Sequence, residues 1–106
     1  MKVVKSFLFA QQLTEIFETT AEKWGLSQAD IYTDGIQETI QLAAKKQKIW
    51  RKYLYYHEEH TRPVYYVSYK KHFVFFEVVE EQNLMIVLAI YHAAMDIPER
   101  LKDATE

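Results

Sequence analysis

With 106 residues, 49% hydrophobic and 26% charged, the chain has the composition of one globular domain spanning residues 1–106, and not of a disordered segment. A net charge of −2 sets up no long-range field to gather nucleic acid, so any anion site has to be local. Cysteine is absent, which excludes disulfides and thiol catalysis, and no apolar run has the length of a signal-peptide core or of a membrane span; the expectation is a soluble, cytoplasmic protein with no membrane partner.

Lys2-Val3-Val4-Lys5-Ser6-Phe7 is short and β-compatible and is expected to be an edge strand. From about Phe9 the period becomes helical. Leu13, Ile16, Phe17, Thr20, Ala21 and Trp24 recur at three-and-four spacing, opposite Gln12, Glu15, Glu18 and Glu22. Gly25 fits the end of that helix. Ser27, with Asp30 three residues on, has the spacing of a capping box that starts a second helix. Ala29, Tyr32, Ile36, Ile40 and Ala43 form its buried stripe, and Lys45, Lys46 and Lys48 collect where cations oppose the macrodipole. So short a link forces the two helices into an antiparallel hairpin.

Ile49 to Tyr56 either continues the helix or supplies an extra strand or extended arm, the favoured reading being extended from about Tyr53, ahead of the polar loop His57-Glu58-Glu59-His60-Thr61-Arg62-Pro63. Three runs rich in β-branched and aromatic residues follow: Val64–Tyr69, His72–Val79 and Leu84–His92. Their breaks, Lys70-Lys71 and Glu80-Glu81-Gln82-Asn83, are too short for a crossover helix, so the strands are expected to form an antiparallel meander. Asp96 as cap, Pro98 in the first turn and Glu99 predict a short C-terminal helix through Arg100, Leu101 and Lys102. The predicted class is α+β: an N-terminal strand, an antiparallel helix hairpin and a three-stranded meander (βααβββ) in two layers.

Four histidines raise the question of a metal. His57 and His60 are three apart, while His72 and His92 fall on strands or their ends. Without cysteine, or a helical His-Glu-x-x-His, this spacing supplies no ligand polyhedron. Neither a metal nor an organic cofactor is expected.

The βααβββ order, the junction Ala21-Glu22-Lys23-Trp24-Gly25 followed by Ala29 and Tyr32, and the run Leu88-Ala89-Ile90-Tyr91-His92-Ala93-Ala94-Met95-Asp96-Ile97-Pro98 together resemble the RelE/ParE toxins of bacterial type II toxin–antitoxin pairs. The likeness is closest to the ParE branch, whose last strand commonly ends in a Val-Leu-His-Gly-x-Arg-Asp-Ile-Pro style tail. His92, Asp96, Ile97 and Pro98 keep that spacing, whereas Met95 stands where the arginine is usual. Lys70-Lys71-His72 likewise replaces a Gly-Arg-Tyr turn that often opens the penultimate strand.

The resemblance implies a toxin that inhibits DNA gyrase by binding, without catalysis of its own, and that a cognate antitoxin neutralises in a hetero-oligomer. Target-contact candidates are Arg51, Lys52, Arg62, Lys70, Lys71 and His92. The RelE side of the family implies an alternative, a metal-independent endoribonuclease that cleaves messenger RNA on the ribosome. Attack by the 2′-hydroxyl needs a base, an acid and cations around the phosphorane. Arg62, Lys70, Lys71, His72, Tyr91 and His92 are the residue types that this requires. A third reading, kept open by Met95, is a toxin fold that serves only as an interaction partner. For the antitoxin, Met85, Val87 and Tyr91 are the strand candidates, since strict alternation puts all three on one face; helix positions outside the core complete the expected contact.

Overall fold

The computed structural model describes residues 1–53 and 62–94, with Ile97 and Arg100 beyond them. The expected arm after Tyr53, His57 and His60, Met95, and the capping residues Asp96, Pro98 and Glu99 lie outside the described residues. Ile97 and Arg100 themselves have helical backbone.

β1 (Lys2–Lys5) stops at Ser6, which starts α1 (Phe7–Trp24). The Ser6 hydroxyl accepts the Phe9 N–H at 3.0 Å, and this cap sets the start of the helix two residues before the apolar period becomes visible. A single residue, Gly25, separates α1 from α2 (Leu26–Ala44). Its φ of 93° and ψ of 165° lie in a region open in practice to glycine alone. The Gly25 N–H reaches Ala21 O, and its carbonyl accepts from Ala29 N, so one residue closes both helices. Ser27 therefore falls inside the first turn of α2, and the expected Ser27–Asp30 box does not form. Trp24, the last residue of α1, stands at the hairpin tip and is 73% exposed rather than part of the buried stripe.

At the other end of α2 the Trp50 indole N–H donates to the Ala43 carbonyl at 2.8 Å, a second donor beside the Lys46 N–H at 3.0 Å. The Trp50 ring packs on Tyr65 and Phe76. The chain is then extended over β2 (Arg51–Lys52), followed by β3 (Tyr65–Tyr69), β4 (His72–Val79) and β5 (Leu84–His92). The meander is as expected, but the sheet has five strands in the order β1-β5-β4-β3-β2. β2 adds an antiparallel edge on β3. β1 pairs with β5 in parallel, because the whole helix hairpin lies between β1 and the meander and gives the chain room to cross over.

One irregularity decides which side of the sheet each late residue faces. Phe75 is opposite Ala89 while Phe76 is opposite Val87, so Leu88 is an extra residue in β5, a bulge. Before it, Met85 and Val87 face the helices; after it, Ile90 and His92 do, and Ala89 and Tyr91 turn to the far side. The expectation that Met85, Val87 and Tyr91 share a face is thereby corrected. The backbone groups displaced by the bulge are held by α1 and its cap. Ser6 Oγ donates to the Leu88 carbonyl at 2.7 Å, and the Ile90 N–H donates to Gln12 Oε1 at 2.9 Å.

The helix-side core joins Phe9, Ile36 and Ile40 to Val67, Val74, Phe76, Met85, Val87 and Ile90. α1 lies over β5 and α2 over β3. A second cluster on the far face holds Val64, Phe75, Ala89, Tyr91 and Ile97, with Tyr53, Tyr66 and Phe73 packed against it.

Candidate functional site

At one end of the sheet, the turn between β3 and β4 and the C-terminal end of β5 meet the helix hairpin. His72 opens β4 and His92 closes β5, and antiparallel pairing sets them opposite one another. Both side chains face the helices, with ring centroids 5.2 Å apart at an interplanar angle of 89°. Tyr32 of α2 brings its hydroxyl to 2.7 Å from His72 Nδ1 and lies edge-on to Tyr69, centroids 5.2 Å apart. Gly35, one turn on, makes that packing feasible, because a Cβ there would collide with the Tyr69 ring and hydroxyl. Lys70 takes a left-handed φ of 52° in the two-residue turn, and its ammonium lies 6.0 Å from the Tyr32 centroid and 5.7 Å from that of Tyr69.

The protonation states follow from these partners. The Ala94 N–H donates to His92 Nδ1 at 3.0 Å, which fixes the neutral ring with its proton on Nε2. At His72 the phenol, far the more acidic partner, is assigned as donor to the basic imidazole nitrogen, which assigns the proton of the neutral ring to Nε2. Burial first, and then the neighbouring His92, push the His72 imidazolium below the usual histidine range. Burial and then Tyr69 hold the Tyr32 phenol above its ordinary value.

Beside the two histidines a cavity of about 310 Å³ opens between α1 and the sheet. Ile16 and Ile90 provide its apolar surface, Gln12, Glu15, Thr19 and Thr20 its helical wall, and the two imidazoles its strand wall. Among the described residues no group of three or more histidine, aspartate or glutamate side chains is placed to hold a metal ion.

Lys70, Lys71, His72 and His92 thus converge here. Arg62 does not: it precedes β3 at the opposite end, near Arg51 and Lys52 of β2, and is separated from Lys70 by the length of β3, about 16 Å. Tyr91 is on the far face, 6% exposed, with its hydroxyl donating to the Arg100 carbonyl. Met85 and Val87 are fully buried beneath the hairpin. Tyr32, Tyr69 and Glu15 are site residues that the sequence pattern did not single out. Gly35, a glycine inside a helical period, was the signal for a close approach there.

The arrangement of strands and hairpin agrees with the sequence relationships. A profile for the ParE toxin of type II toxin–antitoxin systems, parDE, matches residues 4–97. The chain belongs to the ParE toxin family. Two relatives are each named Toxin ParE1, from Mycobacterium tuberculosis strains CDC 1551 / Oshkosh and ATCC 25618 / H37Rv. Each is 31% identical over 90 residues, covering 84% of this chain and 86% of the relative. The match runs from within β1 through β5, so the histidine pair, the cavity and the basic end of β2 all belong to the ParE domain. Membership makes this chain the toxin half of a type II pair, and so implies an antitoxin partner. No helix among the described residues is long and apolar enough to cross a membrane.

Proposed function

We propose that this ParE-family toxin acts in the cytoplasm as a non-enzymatic inhibitor of DNA gyrase and that its cognate antitoxin silences it by forming a complex. One observation carries the reading: of the six residues named for an RNA-cleaving centre, Arg62 and Tyr91 stand apart from the other four. Arg62 is at one end of β3 with Arg51 and Lys52, and Lys70, Lys71, His72 and His92 are at the other. Tyr91, on the opposite face, spends its hydroxyl on Arg100. General acid–base cleavage requires its groups within hydrogen-bonding reach of one phosphodiester. Binding asks only for a rigid surface, and the exposed cations Arg51, Lys52 and Arg62 offer one to gyrase or to its DNA.

Antitoxin contact falls on apolar side chains that the core leaves out. Trp24 and Leu26 at the hairpin tip, with Ile31 on α2, are 73%, 68% and 56% exposed. Met85, Val87 and Tyr91 are interior in the toxin alone, so contact through them needs the chain to open.

A gyrase supercoiling assay tests the reading. The purified toxin is expected to inhibit, and the triple reversal Arg51→Glu, Lys52→Glu, Arg62→Glu to lose inhibition while keeping its circular dichroism spectrum. The alternative, ribosome-dependent cleavage of messenger RNA, draws on the convergence of His72, His92 and Lys70. Cleavage in a parallel ribosome assay, abolished by His72→Ala or His92→Ala, together with untouched gyrase would establish it instead. Inactivity in both assays with antitoxin co-elution retained would leave an interaction protein only.

A further inference from the structure

The cavity between α1 and the histidine pair has a definite polarity. On the strand side both histidines have committed Nδ1, His92 to the Ala94 N–H and His72 to the Tyr32 hydroxyl. The polar atom left to each ring is therefore an Nε2–H donor. Gln12 spends its carbonyl oxygen on the Ile90 N–H and keeps its amide donors. On the α1 side stands the Glu15 carboxylate, continued along the exposed surface of the helix by Glu18 and Glu22. Ile16 and Ile90 form an apolar strip between these walls.

Each simpler occupant leaves something unmatched. A phosphate or carboxylate suits the imidazole donors but meets Glu15. A metal ion meets N–H groups where it needs lone pairs. An apolar group strands a carboxylate and two donors away from water. The matching chemistry is a cation for Glu15, a methylene stem for the isoleucines and a carbonyl acceptor for the histidines. An arginine residue within a peptide carries all three, its guanidinium being a planar fork suited to a carboxylate and its stem able to lie on apolar surface. A cavity of about 310 Å³, at the small end of ligand sites, suits one such residue.

We infer that this cavity is a receptor for a single arginine side chain presented by a partner polypeptide. The inference does not depend on the gyrase reading. The groups facing the histidines are Glu15 from α1, Tyr32 from α2, Tyr69 from β3, Lys70 from the following turn, and each other. Lys70 is held over the tyrosine rings and is not among the cavity-lining residues. Protonating His72, whose pKa burial lowers, puts a second cation beside the guanidinium, so binding weakens only once pH has fallen below the usual histidine range.

The test is a nuclear magnetic resonance titration of labelled, full-length toxin with Nα-acetyl-arginine methylamide. The expected result is saturable shifts at Glu15, Thr19 and the His72 and His92 rings. Binding is expected to be about tenfold weaker for the citrulline analogue, which keeps the shape and loses the charge, and for Glu15→Gln toxin with an unchanged backbone spectrum. Weaker binding is likewise expected for the lysine analogue. Equal binding of the citrulline or lysine analogue, an unaffected Glu15→Gln variant, shifts mapping elsewhere, or no saturable shift at all would each overturn the assignment.

Discussion

The two faces of the sheet share their strands and are closed in different ways. Above the helix side lie α1 and α2, whose 18 and 19 residues cover an aliphatic centre of Val67, Val74, Met85, Val87 and Ile90, with Phe76, Trp50, Tyr65 and Tyr69 beside it. Over the far side the described cover is a few residues, Ile97 among them, and the packing is aromatic: Tyr53, Tyr66, Phe73, Phe75 and Tyr91 meet edge-to-face or tilted. Two long helices present continuous apolar stripes, and aliphatic and aromatic side chains alike are buried beneath them. Where cover is short, each ring has to bury more area on its own, about 150–250 Å² apiece. The bulge at Leu88 joins the two arrangements, since it decides which β5 side chains each face receives.

Substitutions on either face, and at the bulge between them, put that contrast to measurement. Phe76→Ala empties the helix-side core and is expected to cost about 3–5 kcal/mol, read from urea unfolding midpoints. A similar loss for Phe75→Ala with one shared transition would mean that the two faces unfold as a unit; a separate early transition would mean that the far face opens alone. Gln12→Leu removes the acceptor for the Ile90 N–H and is expected to cost about 1–3 kcal/mol. Amide exchange at Ile90 should accelerate more than at Val74, which shares the core but not the bulge. Tyr91→Phe on the far face loses the bond to Arg100 and should cost about 0.5–1.5 kcal/mol.

The smallest effect expected is that of pH. The fold lowers the His72 pKa, mainly by burial, so the unfolded chain takes up this proton more readily than the folded one. The associated stability is complete above the unfolded histidine value of about 6.5, begins to be lost below it, and is gone once pH has fallen through the lower folded value. His72→Gln should flatten the stability profile over that interval, measured by urea midpoints at successive pH values.

Much of this architecture was legible in the residues. The runs Val64–Tyr69, His72–Val79 and Leu84–His92 became strands within a residue of their expected bounds, because dense β-branched and aromatic side chains between two- and four-residue breaks leave the chain few alternatives. The candidate site was half legible. Lys70, Lys71 and His72 are consecutive, and the meander register carries His92 to them. Tyr32 is 40 positions from His72, and no local period reports that a helix will deliver its hydroxyl there. Tyr91 does not share the face of Met85 and Val87 as strict alternation implies, because alternation holds only until a bulge, and the bulge at Leu88 is held by Ser6 and Gln12, about 80 residues earlier.

What the amino-acid order determined by itself was local: which segments are helical or extended, where Gly25 must turn the chain, and that short breaks fold three strands back on one another. Direction and facing were settled only by packing: the parallel seat of β1 on β5, the change of face after Leu88, and the meeting of α1 with the two histidines around one cavity, where Tyr32 reaches His72. Dihedral preference and side-chain period act over a few residues. The hydrogen bonds and close contacts that made these choices join residues far apart in the chain, and they exist only once the layers have come together.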